Sequence, residues 1–103
     1  MAKIIVACGS GVASSELVVK HIVDFFDDHH ITGVEVEATD FKKLPDILAN
    51  YDVYVWIARP NEEIQAIVDK HHIASVNGLP IFTGQNPEAA YRDIIAALKA
   101  MQA

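Results

Sequence analysis

Two stretches of the chain, residues 4–7 and 53–57, are apolar without interruption. A strand with no polar alternation is buried on both faces, as at the centre of a parallel sheet, and both stretches are read that way, the first as a strand over 3–7. Val34-Glu35-Val36-Glu37-Ala38 alternates apolar and acidic positions instead, the pattern of a half-exposed strand at a sheet edge. Between the first two strands, Val18, Val19, Ile22, Val23, Phe25 and Phe26 recur at helical spacing, which predicts a helix with a wide apolar stripe over about residues 17–29. Ser14-Ser15-Glu16 reads as its start, a hydroxyl cap followed by an acid in the first turn. It should end near His29-His30, before Thr32-Gly33. Pro45 opens a short helix through Ile47, Leu48 and Ala49. Asn61 caps a third, with Glu62 and Glu63 in its first turn and Ile64, Ile67 and Val68 on its buried side, as far as His71. Residues 73–76 form a weaker strand, Asn77-Gly78 turns the chain, and 79–83 reads as a further extended piece; the pattern does not decide which of the two joins the sheet. Asn86-Pro87-Glu88 gives a cap, a first-turn proline and an acid for a last helix, whose apolar face is Tyr91, Ile94, Ile95, Leu98 and Met101.

The sum is βαβαβαβα in four units of roughly 25 residues, the alternation that makes a parallel sheet with helices on both faces. The expected fold is α/β, a three-layer α/β/α domain with a four-stranded parallel sheet, half of a Rossmann-like or flavodoxin-like arrangement. With the alternating strand at an edge and the two apolar strands in the middle, the strand order is 2-1-3-4. In such sheets ligands bind beyond the carboxyl ends of the strands, where the winding reverses. That point lies between strands 1 and 3, where residues 8–15 leave strand 1 and Ala58-Arg59-Pro60-Asn61 leaves strand 3. At 103 residues, with no repeat, linker or low-complexity tract, residues 1–103 read as one domain.

Charge and cysteine content narrow the function. The net charge of −6 argues against a nucleic-acid partner or a polybasic membrane contact. The single cysteine allows neither an internal disulfide nor a cysteine-based zinc cluster, and suits a reducing cytoplasm. No stretch approaches a membrane span, and the N-terminal apolar run is too short for a signal peptide. The five histidines have no zinc-helix spacing, so no metal is expected.

The chemistry concentrates in Ala7-Cys8-Gly9-Ser10-Gly11-Val12-Ala13-Ser14-Ser15, which holds the thiol, two glycines and three hydroxyls, with no charge between Lys3 and Glu16. A loop of this composition between a strand and a helix can wrap an anion in backbone N–H groups. Because the protein as a whole is acidic, those local dipoles must hold any phosphate. The helix start carries roughly +0.5 elementary charge, a field that favours a thiolate and the spread negative charge of a phosphoryl group in transfer. Cys8 is therefore the candidate nucleophile. Gly9, Ser10, Gly11, Val12, Ala13, Ser14 and Ser15 are the candidate phosphate cradle, the glycines allowing close backbone approach and the serines adding hydroxyl donors. Other readings are weaker. Gly9-x-Gly11 is a damaged dinucleotide fingerprint with Ser14 at its third glycine, and no Gly-Lys-Ser/Thr nucleotide loop is present. A thiol phosphatase would place arginine six residues after the cysteine; this chain has Ser14 there. Without that clamp a thiophosphate should persist until a partner collects it, which fits a carrier better than a hydrolase. Arg59 is the accessory candidate, for the phosphoryl group or a partner. Trp56 reads as a core aromatic rather than a platform for a sugar.

At these residues the chain resembles the enzyme IIB components of the bacterial phosphoenolpyruvate-dependent sugar phosphotransferase system, galactitol-type branch. The resemblance is carried by Ile4-Ile5-Val6-Ala7-Cys8-Gly9-Ser10-Gly11 with Ala13-Ser14-Ser15, by Ile57-Ala58-Arg59, and by Val76-Asn77-Gly78-Leu79-Pro80-Ile81-Phe82-Thr83-Gly84. It implies a phosphotransferase in which Cys8 accepts phosphate from a phosphohistidine on a IIA protein and passes it to a sugar or polyol, galactitol-like, bound by the membrane IIC permease. It also implies a cytoplasmic protein, peripherally associated with IIC. No cofactor is called for. The two other classes weighed are a thiol phosphatase or arsenate-reductase-like enzyme, and a noncatalytic phospholigand-binding regulatory domain.

Overall fold

The structure, a computed structural model, describes residues 2–8 and 12–102. Its four strands, β1 (Ala2–Cys8), β2 (Val34–Asp40), β3 (Val53–Trp56) and β4 (Ala74–Asn77), form one parallel sheet in the order β2-β1-β3-β4. This is the predicted arrangement. Residues 4–8 are buried because helices cover both faces of the central strand, and β2, with Glu35 and Glu37 exposed, takes an edge.

Helices α1 (Val12–Asp28) and α5 (Pro87–Gln102), joined by α4 (Leu79–Thr83), pack on one face. There Val18, Ile22, Phe26, Ile81, Ala90, Ile94 and Leu98 close over Ile4, Val6, Cys8, Val53, Val55 and Val76. Phe25 of α1 stacks on Tyr91 of α5 with ring centroids 4.2 Å apart, and on His29 at 4.1 Å, which ties the two helices along their flank. The other face carries α2 (Leu44–Ile47), a 3₁₀ turn (Leu48–Asn50) and α3 (Glu62–His71). Leu44, Leu48, Ile64 and Val68 cover Ile5, Ala7 and Tyr54. Each fully buried aliphatic side chain contributes about 1.5–3 kcal/mol, so the central strand is the main apolar anchor of both layers.

The structure differs from the sequence expectation in three places. Residues 79–83 form a helix, not an extended piece, and β4 alone joins the sheet. Asn77 Oδ1 accepts a hydrogen bond from Leu79 N at 3.0 Å, Pro80 stands in the first turn, and left-handed Gly84 (φ 78°) ends the helix by donating to Pro80 O. These turn signals outweigh the β-branched and aromatic character of the segment. Second, α1 begins at Val12, ahead of the hydroxyl cap assigned to Ser14 and Ser15, so both serines lie inside the helix. Third, Asn86 adopts φ 53°, not the extended backbone of an N-cap. The Asn61 cap is as predicted, its side chain accepting from Ile64 N at 2.9 Å.

Helices α1 and α3 stop in the same way. His30 (φ 55°) and His72 (φ 54°) are left-handed, and the following isoleucine donates back to the helix, Ile31 N to Phe26 O and Ile73 N to Val68 O. This is a Schellman closure with histidine where glycine is usual.

Candidate phosphoryl-transfer site

Cys8 is the last residue of β1, and α1 starts at Val12. Only Gly9, Ser10 and Gly11 separate them; these three cradle candidates, and the side chain of Val12, lie outside the described residues. The fold places Cys8 at the carboxyl edge of a central strand, at the switch point between β1 and β3. It is 7% exposed, packed on the face that α1, α4 and α5 cover.

The early start of α1 changes the make-up of the candidate cradle. Val12, Ala13, Ser14 and Ser15 are its first four residues, whose backbone N–H groups have no partner within the helix. No acid stands in this first turn, because Glu16 falls beyond it. The positive end of the dipole is thus not spent on a carboxylate of the helix itself. Ala13 is exposed and Ser14 half-buried. Ser15 is fully buried, and its hydroxyl donates to Thr39 O of β2 at 3.4 Å. That hydroxyl fastens the start of α1 to the end of the edge strand.

Two groups near the thiol were not singled out from sequence. The register sets Asp40 opposite Cys8 on β2. Its Oδ1 accepts from Lys43 N at 2.9 Å, which holds the carboxylate in the turn after the strand. Tyr54, read as one more apolar position of β3, is fully buried, and its hydroxyl has no hydrogen-bond partner among the described residues. Burial pushes its phenol well above the ordinary tyrosine value, and negative charge at Cys8 pushes in the same direction. An isolated tyrosine inside an apolar run was the available signal.

Arg59 is exposed in the loop after β3. It lines a groove of about 340 Å³ with Trp56, Pro60, Gln65 and Ser75. Trp56, expected to be a core aromatic, packs against the core of the α3 face as a partly buried residue, and its remaining surface forms part of this groove. The reason is topological: α3 roofs β3, but Ser75 and Asn77 of β4 stay exposed, so the edge of that sheet face is open. A larger concavity of about 570 Å³ lies at the opposite, amino edge of the sheet, against Ala2, Gly33, Val34, Leu98 and Met101. It contains none of the candidate chemistry.

Comparison with known proteins follows this geometry. The chain is 26% identical over 98 residues to the "Putative phosphotransferase enzyme IIB component SgcB" of Escherichia coli (strain K12), an overlap of 95% of this chain and 98% of that relative. Among solved structures it is similar to the lactose-specific IIB component domain of Streptococcus pneumoniae, with a TM-score of 0.71 at 16% identity, covering 93% of this chain and 96% of that one. It is also similar to the cellobiose-specific IIB component of Borrelia burgdorferi, with a TM-score of 0.62 at 18% identity, covering 96% and 93%. These two likenesses support the flavodoxin-like fold. The galactitol-type branch implied by the sequence resemblance is not supported: the matching family description names lactose and cellobiose. No helix among the described residues is long and apolar enough to cross a membrane. Residues 3–93 match the family model for "PTS system, Lactose/Cellobiose specific IIB subunit", and the chain belongs to this family of sugar phosphotransferase-system IIB components.

Proposed function

We propose that this chain carries a phosphoryl group on Cys8, taking it from a phosphohistidine on a IIA protein and giving it to a sugar held by a membrane IIC permease. The observation that carries this reading is the placement of the only cysteine at the end of a central strand, with three residues between it and a 17-residue helix with no acid in its first turn. In the first step the Cys8 thiolate attacks phosphorus, the S–P bond forms and the P–N bond to the donor histidine breaks. In the second a sugar hydroxyl attacks, the O–P bond forms, and the thiolate leaves; the hydroxyl proton passes to a base outside this chain. The backbone N–H groups of Gly9, Ser10, Gly11, Val12, Ala13, Ser14 and Ser15 hold the phosphoryl oxygens, with the Ser10 and Ser14 hydroxyls as further donors. The Ser15 hydroxyl, engaged by Thr39 O, works as a fastener. Arg59 is the exposed cation in the neighbouring loop, available to the phosphoryl group or to a partner. The domain works in the cytoplasm, docking on IIC, and its sugar is of the lactose or cellobiose kind. The absence of arginine six residues after Cys8 supports a carrier over a phosphatase.

Incubation with phosphoenolpyruvate, the general phosphotransferase proteins and a cognate IIA, followed by intact-mass measurement, tests this reading. One phosphoryl group should appear on the chain and be missing from Cys8→Ser. No addition in the presence of an active IIA would refute it. Transfer onward to labelled lactose, cellobiose or galactitol in vesicles containing IIC then assigns the sugar.

A further inference from the structure

We propose that the groove formed by Trp56, Arg59, Gln65 and Ser75 binds a phosphorylated sugar, a second ligand position beside Cys8. The walls are complementary to such a molecule. The indole of Trp56, partly buried against the core, lines the groove and offers an apolar surface for a sugar ring. Ser75 is exposed on β4 and can donate to or accept from a ring hydroxyl. Gln65 Nε2 is committed to Asp69 Oδ1 at 3.0 Å, which leaves Oε1 as an acceptor for a hydroxyl. Arg59 makes no hydrogen bond or ion pair among the described residues, where the one ion pair is Lys20–Asp24. In a chain with 14 acids and 8 lysines and arginines, an unpaired guanidinium in a groove lined by no carboxylate stands out as an anion contact. Its planar fork suits a phosphate ester bidentately.

The position fits as well. Trp56 is the register neighbour of Ala7, one residue before the nucleophile, and Arg59 and Pro60 belong to the loop leaving β3 at the carboxyl edge. The groove opens on the α3 face, whereas the Cys8 side chain packs on the opposite face, so the two positions are distinct. The choice of a phosphorylated sugar, rather than another organic anion, rests on the phosphoryl-transfer reading above. The bound molecule is then of the product class of that reaction.

Trp56 is the only tryptophan, so its emission reports directly on the groove. The full chain is titrated with glucose 6-phosphate, and in parallel with glucose and with inorganic phosphate. Glucose 6-phosphate should change the emission saturably in the millimolar range, with either half-molecule much weaker. Arg59→Ala should weaken binding roughly tenfold or more, Arg59→Lys should restore little of it, and Ser75→Ala should cost a few-fold. Cys8→Ser should bind as the parent does, which separates this test from that of the carrier reading: failure of the parent chain to accept phosphate from an active IIA, with glucose 6-phosphate binding retained, refutes the carrier alone. No response to glucose 6-phosphate, in emission or in the Trp56 indole signal by NMR, overturns the proposal. Equal midpoints for inorganic phosphate and glucose 6-phosphate overturn the sugar-phosphate assignment. So does a response to a partner protein only, which would make the groove a docking face.

Discussion

Tyr51 follows the 3₁₀ turn and its hydroxyl donates to Glu37 on the open face of β2. Partial burial, that hydrogen bond and the charges of Glu37 and Glu35 push its phenol up to about 12. The neutral form is therefore kept in the folded chain over a range where the unfolded chain has ionised. Since the folded state then holds more protons, stability is fully present below about pH 10 and declines as pH rises toward about 12. Urea unfolding across that range should show this decline, and Tyr51→Phe should flatten it; an unchanged slope would refute the assignment. The same scale shows what the sequence could not disclose about the site. Cys8 and its loop stood out as the candidate site because a thiol, two glycines and three hydroxyls fall between a buried strand and a helix. The partial exposure of Trp56 was not legible, since it depends on how far α3 reaches across the sheet. Nor was the engagement of Ser15 by Thr39 O, a contact between residues 24 apart.

The helix endings give the clearest prediction among the elements. His30 and His72 both hold left-handed backbone, a conformation that costs a residue with a Cβ about 1–2 kcal/mol, against a smaller entropic penalty for glycine. His30→Gly and His72→Gly should each stabilise the fold by about 0.5–1 kcal/mol, read as a higher urea midpoint at constant slope. Destabilisation by both would show that the imidazoles make contacts worth more than the strain. Local signals were a good guide where they were strong. The Asn61 cap and the Pro45 start stand where they were read, as does the acidic alternation of β2. They misled over residues 79–83, where apolar composition suggested a strand and the Asn77 turn, Pro80 and Gly84 make a helix. At α1 a plausible hydroxyl cap concealed a start three residues nearer the thiol. An N-terminus next to an anion site need not use its own side chains as caps.

At the scale of the molecule, the chain is pressed against β3 at Gly78, between β4 and α4. Its N–H donates to Trp56 O at 2.7 Å, and a Cβ there would stand 2.4 Å from Val55 Cγ1 and 3.3 Å from Trp56 O. Val55 is fully buried and cannot turn aside. Gly78→Ala should therefore cost about 1–3 kcal/mol through overpacking, checked by thermal and urea unfolding; a neutral result would mean that β4 can slide on β3. The strand order was readable because edge and centre differ in pattern, and it put Cys8 at the switch point between β1 and β3. The spacing between Ser15 and Val18 has a further consequence. Ser15 is sealed against β2, while Val18 and Ile22 are sunk in the core about one and two turns further on. Adding or removing one residue between Ser15 and Val18 would turn the rest of α1 by about 100° relative to this anchor, carrying Val18 and Ile22 off the sheet or tearing Ser15 from Thr39. Along this turn it is the number of residues, more than their chemistry, that the rest of the architecture enforces.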